Sequence, residues 1–216
     1  MLWQERAYAI LRTSDQALAA RAMDAAVRGG FRIIEFTLTV PGAFELIAQF
    51  AQREDVVVGA GTVLDATAAR RAVEAGASFV VSPVVDPTVI AAAKELGVAA
   101  MPGVQTPTEA LLAHRSGAVL QKLFPAPAGG PTWVRSCLAP LPFLRLVPTN
   151  GVDATNVAAW LAAGAWGVGF TTALFDAEYL ARARFDAIEQ RARALLDAAR
   201  AHRRGEPPAP PKAAEC

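Results

Sequence analysis

RIIEFTLTVPGAFELIAQFAQREDVVVGAGT, residues 32–62, holds one full period of the pattern that decides the fold: a β-favouring run at 32–39, a segment at 42–52 that reads as a helix, and a second β-favouring run at 56–62. The same alternation continues in both directions. Strand candidates fall at residues 8–12, 32–39, 56–62, 79–83, 98–102, 118–124, 144–149 and 167–171, and helix candidates at 15–28, 42–52, 66–75, 87–96, 108–116, 131–138, 154–163 and 177–199. Strands alternating with Ala-rich helices are the pattern of βα units around a parallel sheet, and eight of each predict a single closed (β/α)8 TIM barrel. Gly29, Gly76, Gly97, Gly117 and Gly164 each follow a helix candidate, where a left-handed glycine stops a helix. An open doubly wound sheet is the competing architecture. Its dinucleotide fingerprint is missing, because Gly59-Ala60-Gly61-Thr62-Val63-Leu64 lacks the third glycine and comes late in the order.

The 216 residues suffice for one core, so the expected organisation is one barrel domain over residues 1–202 and a Pro/Ala-rich disordered tail over 203–216. Twenty-one basic against 20 acidic side chains leave a net charge of +1, which provides no broad cationic surface for nucleic acid. No stretch approaches the roughly 20 apolar residues of a membrane span, and the charged start of the chain does not read as a signal peptide. The two cysteines, Cys137 and Cys216, make neither a disulfide framework nor a thiolate cage, so a cytoplasmic location is expected.

Polar residues inside a barrel strand need a reason. Period-two alternation puts Ile33, Glu35, Thr37 and Thr39 on one face of the second strand and Ile34, Phe36 and Leu38 on the other, so Glu35 points into the barrel. On the sixth strand Lys122 shares the inward face with Leu120 and Phe124, near the C-terminal end where barrel enzymes carry their chemistry. A buried carboxylate and ammonium can be a structural ion pair. They can also be a working pair, since burial disfavours the ammonium and leaves a free amine to attack a carbonyl carbon while the acid moves protons. The only histidines, His114 and His202, stand away from the strand ends, so neither a metal site nor a cofactor is expected.

Six motifs occur in order at the strand ends: Glu35-Phe36-Thr37-Leu38; Gly59-Ala60-Gly61-Thr62-Val63-Leu64; Ser82-Pro83; Pro102-Gly103-Val104-Gln105-Thr106-Pro107-Thr108-Glu109; Lys122-Leu123-Phe124-Pro125-Ala126; and Pro148-Thr149-Asn150-Gly151. Together they resemble the family of 2-keto-3-deoxy-6-phosphogluconate and 4-hydroxy-2-oxoglutarate aldolases over roughly residues 8–175. The resemblance implies a homotrimeric class I aldolase that cleaves a 2-keto-3-deoxy sugar acid phosphate into pyruvate and glyceraldehyde 3-phosphate. It implies a Schiff base on Lys122 and proton transfer by Glu35. It further implies that Thr62 and Pro83 line the pyruvate end and that Phe124 packs against the imine, with Pro102 and Gly103 shaping the neighbouring strand end.

Phosphate would lie in the loops after strands seven and eight, Thr149-Asn150-Gly151 and Gly169-Phe170-Thr171-Thr172. Here Asn150 and Phe170 stand where the family commonly has glycines. Thr171 or Thr172 would replace a serine hydroxyl, and Arg12 resembles an arginine that contacts phosphate in the galactonate-type branch. Thr39 occupies the place of an arginine that helps hold the substrate carboxylate, and Val84 follows Ser82-Pro83 in place of glycine. These departures keep two alternatives open: an aldolase for 4-hydroxy-2-oxoglutarate or another unphosphorylated 2-oxo acid, and a diverged barrel that only binds a metabolite.

Overall fold

In a computed structural model, residues 1–201 are described; 202–216, on which the expectation of a Pro/Ala tail falls, lie outside the described residues. Eight strands, β1 (Ala7–Leu11), β2 (Ile33–Thr37), β3 (Val57–Gly61), β4 (Phe79–Ser82), β5 (Ala99–Val104), β6 (Gln121–Leu123), β7 (Leu146–Pro148) and β8 (Val168–Phe170), pair in parallel in the order β7-β6-β5-β4-β3-β2-β1-β8. A single bridge between Thr149 and Gly169 brings the two ends of the sheet together, giving a nearly closed (β/α)8 barrel. Between the strands run α2 (Gln16–Arg28), α3 (Ala43–Ala51), α4 (Ala66–Glu74), α5 (Pro87–Glu95), α6 (Pro107–Arg115), α7 (Pro131–Leu138) and α8 (Val157–Ala162).

The helices start where the chain supplies an acceptor for their first free amides. Asp15, Asp65 and Asp86 accept from Leu18, Ala68 and Thr88, and Thr106 forms a reciprocal capping box with Glu109. Such caps each contribute about 1 kcal/mol.

Three expectations about elements need correction. A short helix, α1 (Leu2–Glu5), precedes the first strand, with Leu2 packed against the barrel interior. The helix expected at 177–199 is two, α9 (Ala177–Ala181) and α10 (Phe185–Arg200), separated by Ala183 at φ 49°. The residues at that break favour helix, so local propensity gives no warning; α10 is set by packing on α2 and α8. Gly29 is right-handed, at φ −70°, and the left-handed stop is Gly30 at φ 113°. Gly29 serves close packing instead, because a Cβ there would meet Ala192 Cβ at 2.4 Å.

Alternation divides the core into two layers. Tyr8, Ile10, Ile33, Val81, Met101 and Val147 fill the barrel interior. Their outward neighbours, among them Ile34, Phe36, Val58, Leu123 and Phe170, lie beneath the helices with Met23, Ile47 and Ile90. Each large apolar side chain buried this way contributes about 1.5–3 kcal/mol.

Candidate active site

The apolar interior is interrupted near the C-terminal ends of the strands. Glu35 on β2, flanked in register by Ile10 on β1 and Gly59 on β3, is fully buried. Lys122 on β6, between Gly103 and Val147, retains 7% exposure. Across the barrel the two meet, with Lys122 Nζ 3.7 Å from Glu35 Oε1. That separation suits an ion pair and is long for a hydrogen bond, and among the described residues neither Glu35 oxygen has a hydrogen-bond partner. The Phe124 ring lies with its centroid 5.4 Å from Nζ, within cation–π range.

Burial pushes the Glu35 carboxyl above its ordinary pKa near 4.5, while the Lys122 ammonium and, more weakly, Arg12 pull it back. The result is a carboxyl that takes up a proton more readily than a surface acid, next to an amine. Tyr8 stands on the same interior layer. Burial and the charge of Glu35 raise its phenol well above its ordinary value, so it is a neutral hydroxyl, 3.4 Å from Thr149 Oγ1.

Small residues make room for this pair. A Cβ at Gly61 would lie 1.9 Å from Glu35 Oε1, and one at Gly103 would lie 2.2 Å from the Pro83 carbonyl oxygen. At the inward-facing Gly169 a Cβ would meet Tyr8 and Thr149 Oγ1 at 2.7 and 2.8 Å.

A cavity of about 280 Å³ opens above the pair, lined by Ile10, Arg12, Thr37, Thr62, Pro83, Lys122, Phe124, Thr149, Asn150, Thr171, Thr172 and Phe175. Nine residues expected at a site therefore converge on one opening, together with Ile10, Thr37 and Phe175. Thr37 was legible as an inward residue of β2; Ile10 and Phe175 carry no polar signal. Arg12 Nη2 donates to Thr62 Oγ1 at 3.2 Å, and Thr62 has φ 60°, a left-handed conformation uncommon for a β-branched residue.

Glu35, Thr39, Gly151 and Gly169 do not line the cavity; Glu35 is buried 3.7 Å from the amine of Lys122, which does. Thr39 lies past the end of β2 in a turn, exposed, its hydroxyl 2.9 Å from that of Thr37. The strand ends at Thr37, so the alternation expected through Thr39 stops two residues earlier. Gly151, at φ 100°, shapes the turn after β7 and accepts from Asn156 at 2.8 Å. Phe170, which stands where the family commonly has a glycine, does not enter the cavity either. Because Gly169 faces inward, Phe170 faces outward and packs edge-on against Phe31, with centroids 6.1 Å apart. Asn150 stands at the lip with φ 62°, a conformation Asn tolerates better than most residues.

An acid and an amine buried near the C-terminal end of a barrel, beneath a small cavity that carries several hydroxyl groups, match the architecture of a lyase that works through a covalent amine intermediate. The family model for KDPG and KHG aldolase matches residues 1–191. The chain belongs to the KDPG and KHG aldolase family. Aldolases of this family are metal-independent class I lyases, and the chain is one of them. It is similar to the 2-dehydro-3-deoxy-phosphogluconate aldolase of Treponema pallidum, with 40% identity over 153 residues that span 70% of this chain and 71% of the relative. It is also similar to the probable 2-dehydro-3-deoxy-6-phosphogalactonate aldolase of Rhizobium meliloti, with 36% identity over 170 residues, 77% of this chain and 80% of that one. Among solved structures, native KDPGal superposes at a TM-score of 0.83 with 30% identity, over 91% of this chain and 95% of that chain. Among the described residues of this aldolase, no group of three or more His, Cys, Asp or Glu is placed to hold a metal ion, and no helix is long and apolar enough to cross a membrane.

Proposed function

We propose that this aldolase cleaves a 2-keto-3-deoxy sugar acid 6-phosphate to pyruvate and glyceraldehyde 3-phosphate through an imine on Lys122. The observation that carries this reading is the 3.7 Å approach of Lys122 Nζ, which lines the cavity, to the carboxyl of Glu35, which is fully buried beside it. The amine adds to the keto carbon C2, and the carbinolamine loses water to give a protonated imine. Glu35, as carboxylate, takes the proton of the C4 hydroxyl. The C3–C4 bond then breaks, its electron pair moving toward the iminium nitrogen to form an enamine, and the aldehyde departs. Glu35, now protonated, returns the proton to C3, and water hydrolyses the imine to release pyruvate.

The raised proton affinity of Glu35 suits a group that must both accept and give back a proton within one cycle. Phe124 excludes water from one side of the nitrogen. Thr149, Asn150, Thr171 and Thr172, from the loops after β7 and β8, offer hydroxyl and amide groups to the distal phosphate, and the outward turn of Phe170 leaves that end of the cavity unobstructed.

Borohydride reduction in the presence of pyruvate is expected to attach one reduced pyruvyl group to Lys122, located by peptide mass mapping; no adduct would overturn the reading. Lys122→Arg keeps the charge and cannot form the imine, so pyruvate release should fall by at least about a thousandfold. Retention of much of the activity would point instead to an isomerase that uses Lys122 only as a cation. A homotrimer in the cytoplasm accords with the family resemblance. A monomeric mass by light scattering would refute the trimer.

A further inference from the structure

Asn150 and Asn156 are the only asparagines of the chain, and the segment after β7 sets them in contrasting surroundings. Asn156, half-buried at the start of α8, is held at both ends of its amide: Oδ1 accepts from Asp153 N at 3.0 Å, and Nδ2 donates to the Gly151 carbonyl at 2.8 Å. The backbone nitrogen that follows it, that of Val157, donates to the Asp153 carbonyl at 3.0 Å. Asn150 is exposed, and so is Gly151 after it. Among the described residues neither the Asn150 side-chain amide nor the Gly151 N–H has a hydrogen-bond partner.

An asparagine becomes an acid, with water as the only reagent, when the next backbone nitrogen reaches its side-chain carbon. That nitrogen must be free of other bonds, and glycine, having no Cβ, shields it least. Asn150-Gly151 meets both conditions. Asn156-Val157 meets neither, since its nitrogen is engaged and a β-branched side chain stands beside it. Gly151 lies at φ 100°, a region that glycine enters and leaves at little cost.

We propose that Asn150 is a self-modification site whose conversion to aspartate or isoaspartate puts a negative charge at the lip of the catalytic cavity and turns it away from phosphorylated substrate. The Gly151 nitrogen bonds to Cγ of Asn150, and its proton passes to the side-chain nitrogen, which leaves as ammonia when the Cγ–Nδ2 bond breaks. Water opens the resulting cyclic imide at either carbonyl, giving aspartate or isoaspartate. The loop keeps the new charge in place. The Ala126 amide donates to the carbonyls of both Thr149 and Asn150, at 3.0 and 3.1 Å, tying residue 150 to the loop after β6, and Asn150 lines the cavity with Thr149, Thr171 and Thr172. These are the groups assigned above to the distal phosphate, so the effect on substrate choice rests on that reading; the chemistry at Asn150 does not.

The folded chain, incubated at mildly alkaline pH and then digested, shows by fragmentation mass spectrometry which side-chain NH2 has been exchanged for OH. No Lys or Arg separates the two asparagines, so one tryptic peptide reports both. Asn150 should convert while Asn156 stays intact. The ratio of kcat/KM for phosphorylated over dephosphorylated substrate should fall by about tenfold or more as conversion completes, because a like charge is placed beside the phosphate. Asn150→Asp should show the lowered ratio without incubation, and Asn150→Gly, which has no side-chain amide to lose, should keep its own starting ratio throughout. If Asn150 survives, or converts no faster than Asn156, the proposal is overturned, and a lowered ratio in Asn150→Asp then leaves the phosphate reading standing. If Asn150 converts and the ratio is unmoved in both the aged chain and Asn150→Asp, the phosphate does not lie by this loop, and the proposed effect falls with that reading.

Discussion

Gly61→Ala adds a single carbon against the carboxyl on which the proposed chemistry depends. The new Cβ would stand 1.9 Å from Glu35 Oε1, 2.6 Å from Cδ and 2.9 Å from Cγ, where ordinary contact begins at 3.4 Å. Relief by movement of the acid alone requires Oε1 to retreat by about 1.5 Å, a shift comparable to the misplacements of ~1 Å that cost about a hundredfold in rate. Glu35 is fully buried among packed side chains, so the retreat also forces strain of about 1–3 kcal/mol. In a chain of this length that lowers Tm by roughly 2–12 °C. Pyruvate release coupled to NADH oxidation gives kcat, and a thermal melt gives stability.

Adding Glu35→Asp shortens the acid by one methylene. It should recover most of the lost Tm without restoring kcat, because the clash goes while the carboxyl stays out of reach. A folded Gly61→Ala chain with parental kcat and parental Tm would show that the position of Glu35 is immaterial to turnover, and the reasoning would be refuted.

Two further expectations follow from the same geometry. Burial raises the Glu35 pKa above its ordinary value near 4.5, so the folded chain binds this proton more tightly than the unfolded chain. Its stabilising effect is complete below that value and is lost as pH rises through the folded-state value. Glu35→Gln should therefore gain stability relative to the parent as pH is raised from 4.5; a difference that grows the opposite way would mean that Lys122 holds the acid charged. Phe170→Ala removes a fully buried ring packed on Phe31, and chemical denaturation should show a loss of about 3–5 kcal/mol with kcat/KM for phosphorylated substrate little changed. A selective rise in KM at parental stability would place Phe170 in the binding loop.

The inward faces of Glu35 and Lys122 could be read from the sequence because side-chain alternation is a local property of a strand. It needs only the phase of the run, and the apolar neighbours Ile34, Phe36 and Leu123 set that phase. The same rule failed at Thr39, where the strand had already ended, and it bore on Phe170 only once Gly169 was known to face inward. The switch from Gly29 to Gly30 as the left-handed residue, and the break at Ala183, follow from how α10 packs on α2, which no local signal records.

The chain's order of strands and helices, its glycine punctuation and two charged residues on inward faces were enough to determine a parallel barrel with an acid and an amine inside it. Tertiary closure decided the rest. Glu35 and Lys122 are 87 positions apart in sequence on strands that are not neighbours, so their 3.7 Å approach exists only once the barrel curves round on itself. The turn of Arg12 toward Thr62, the left-handed backbone of Thr62 and the exclusion of Thr39 have the same origin: a side chain's direction at a strand end depends on what the neighbouring loops leave open, and those loops meet only in the folded molecule.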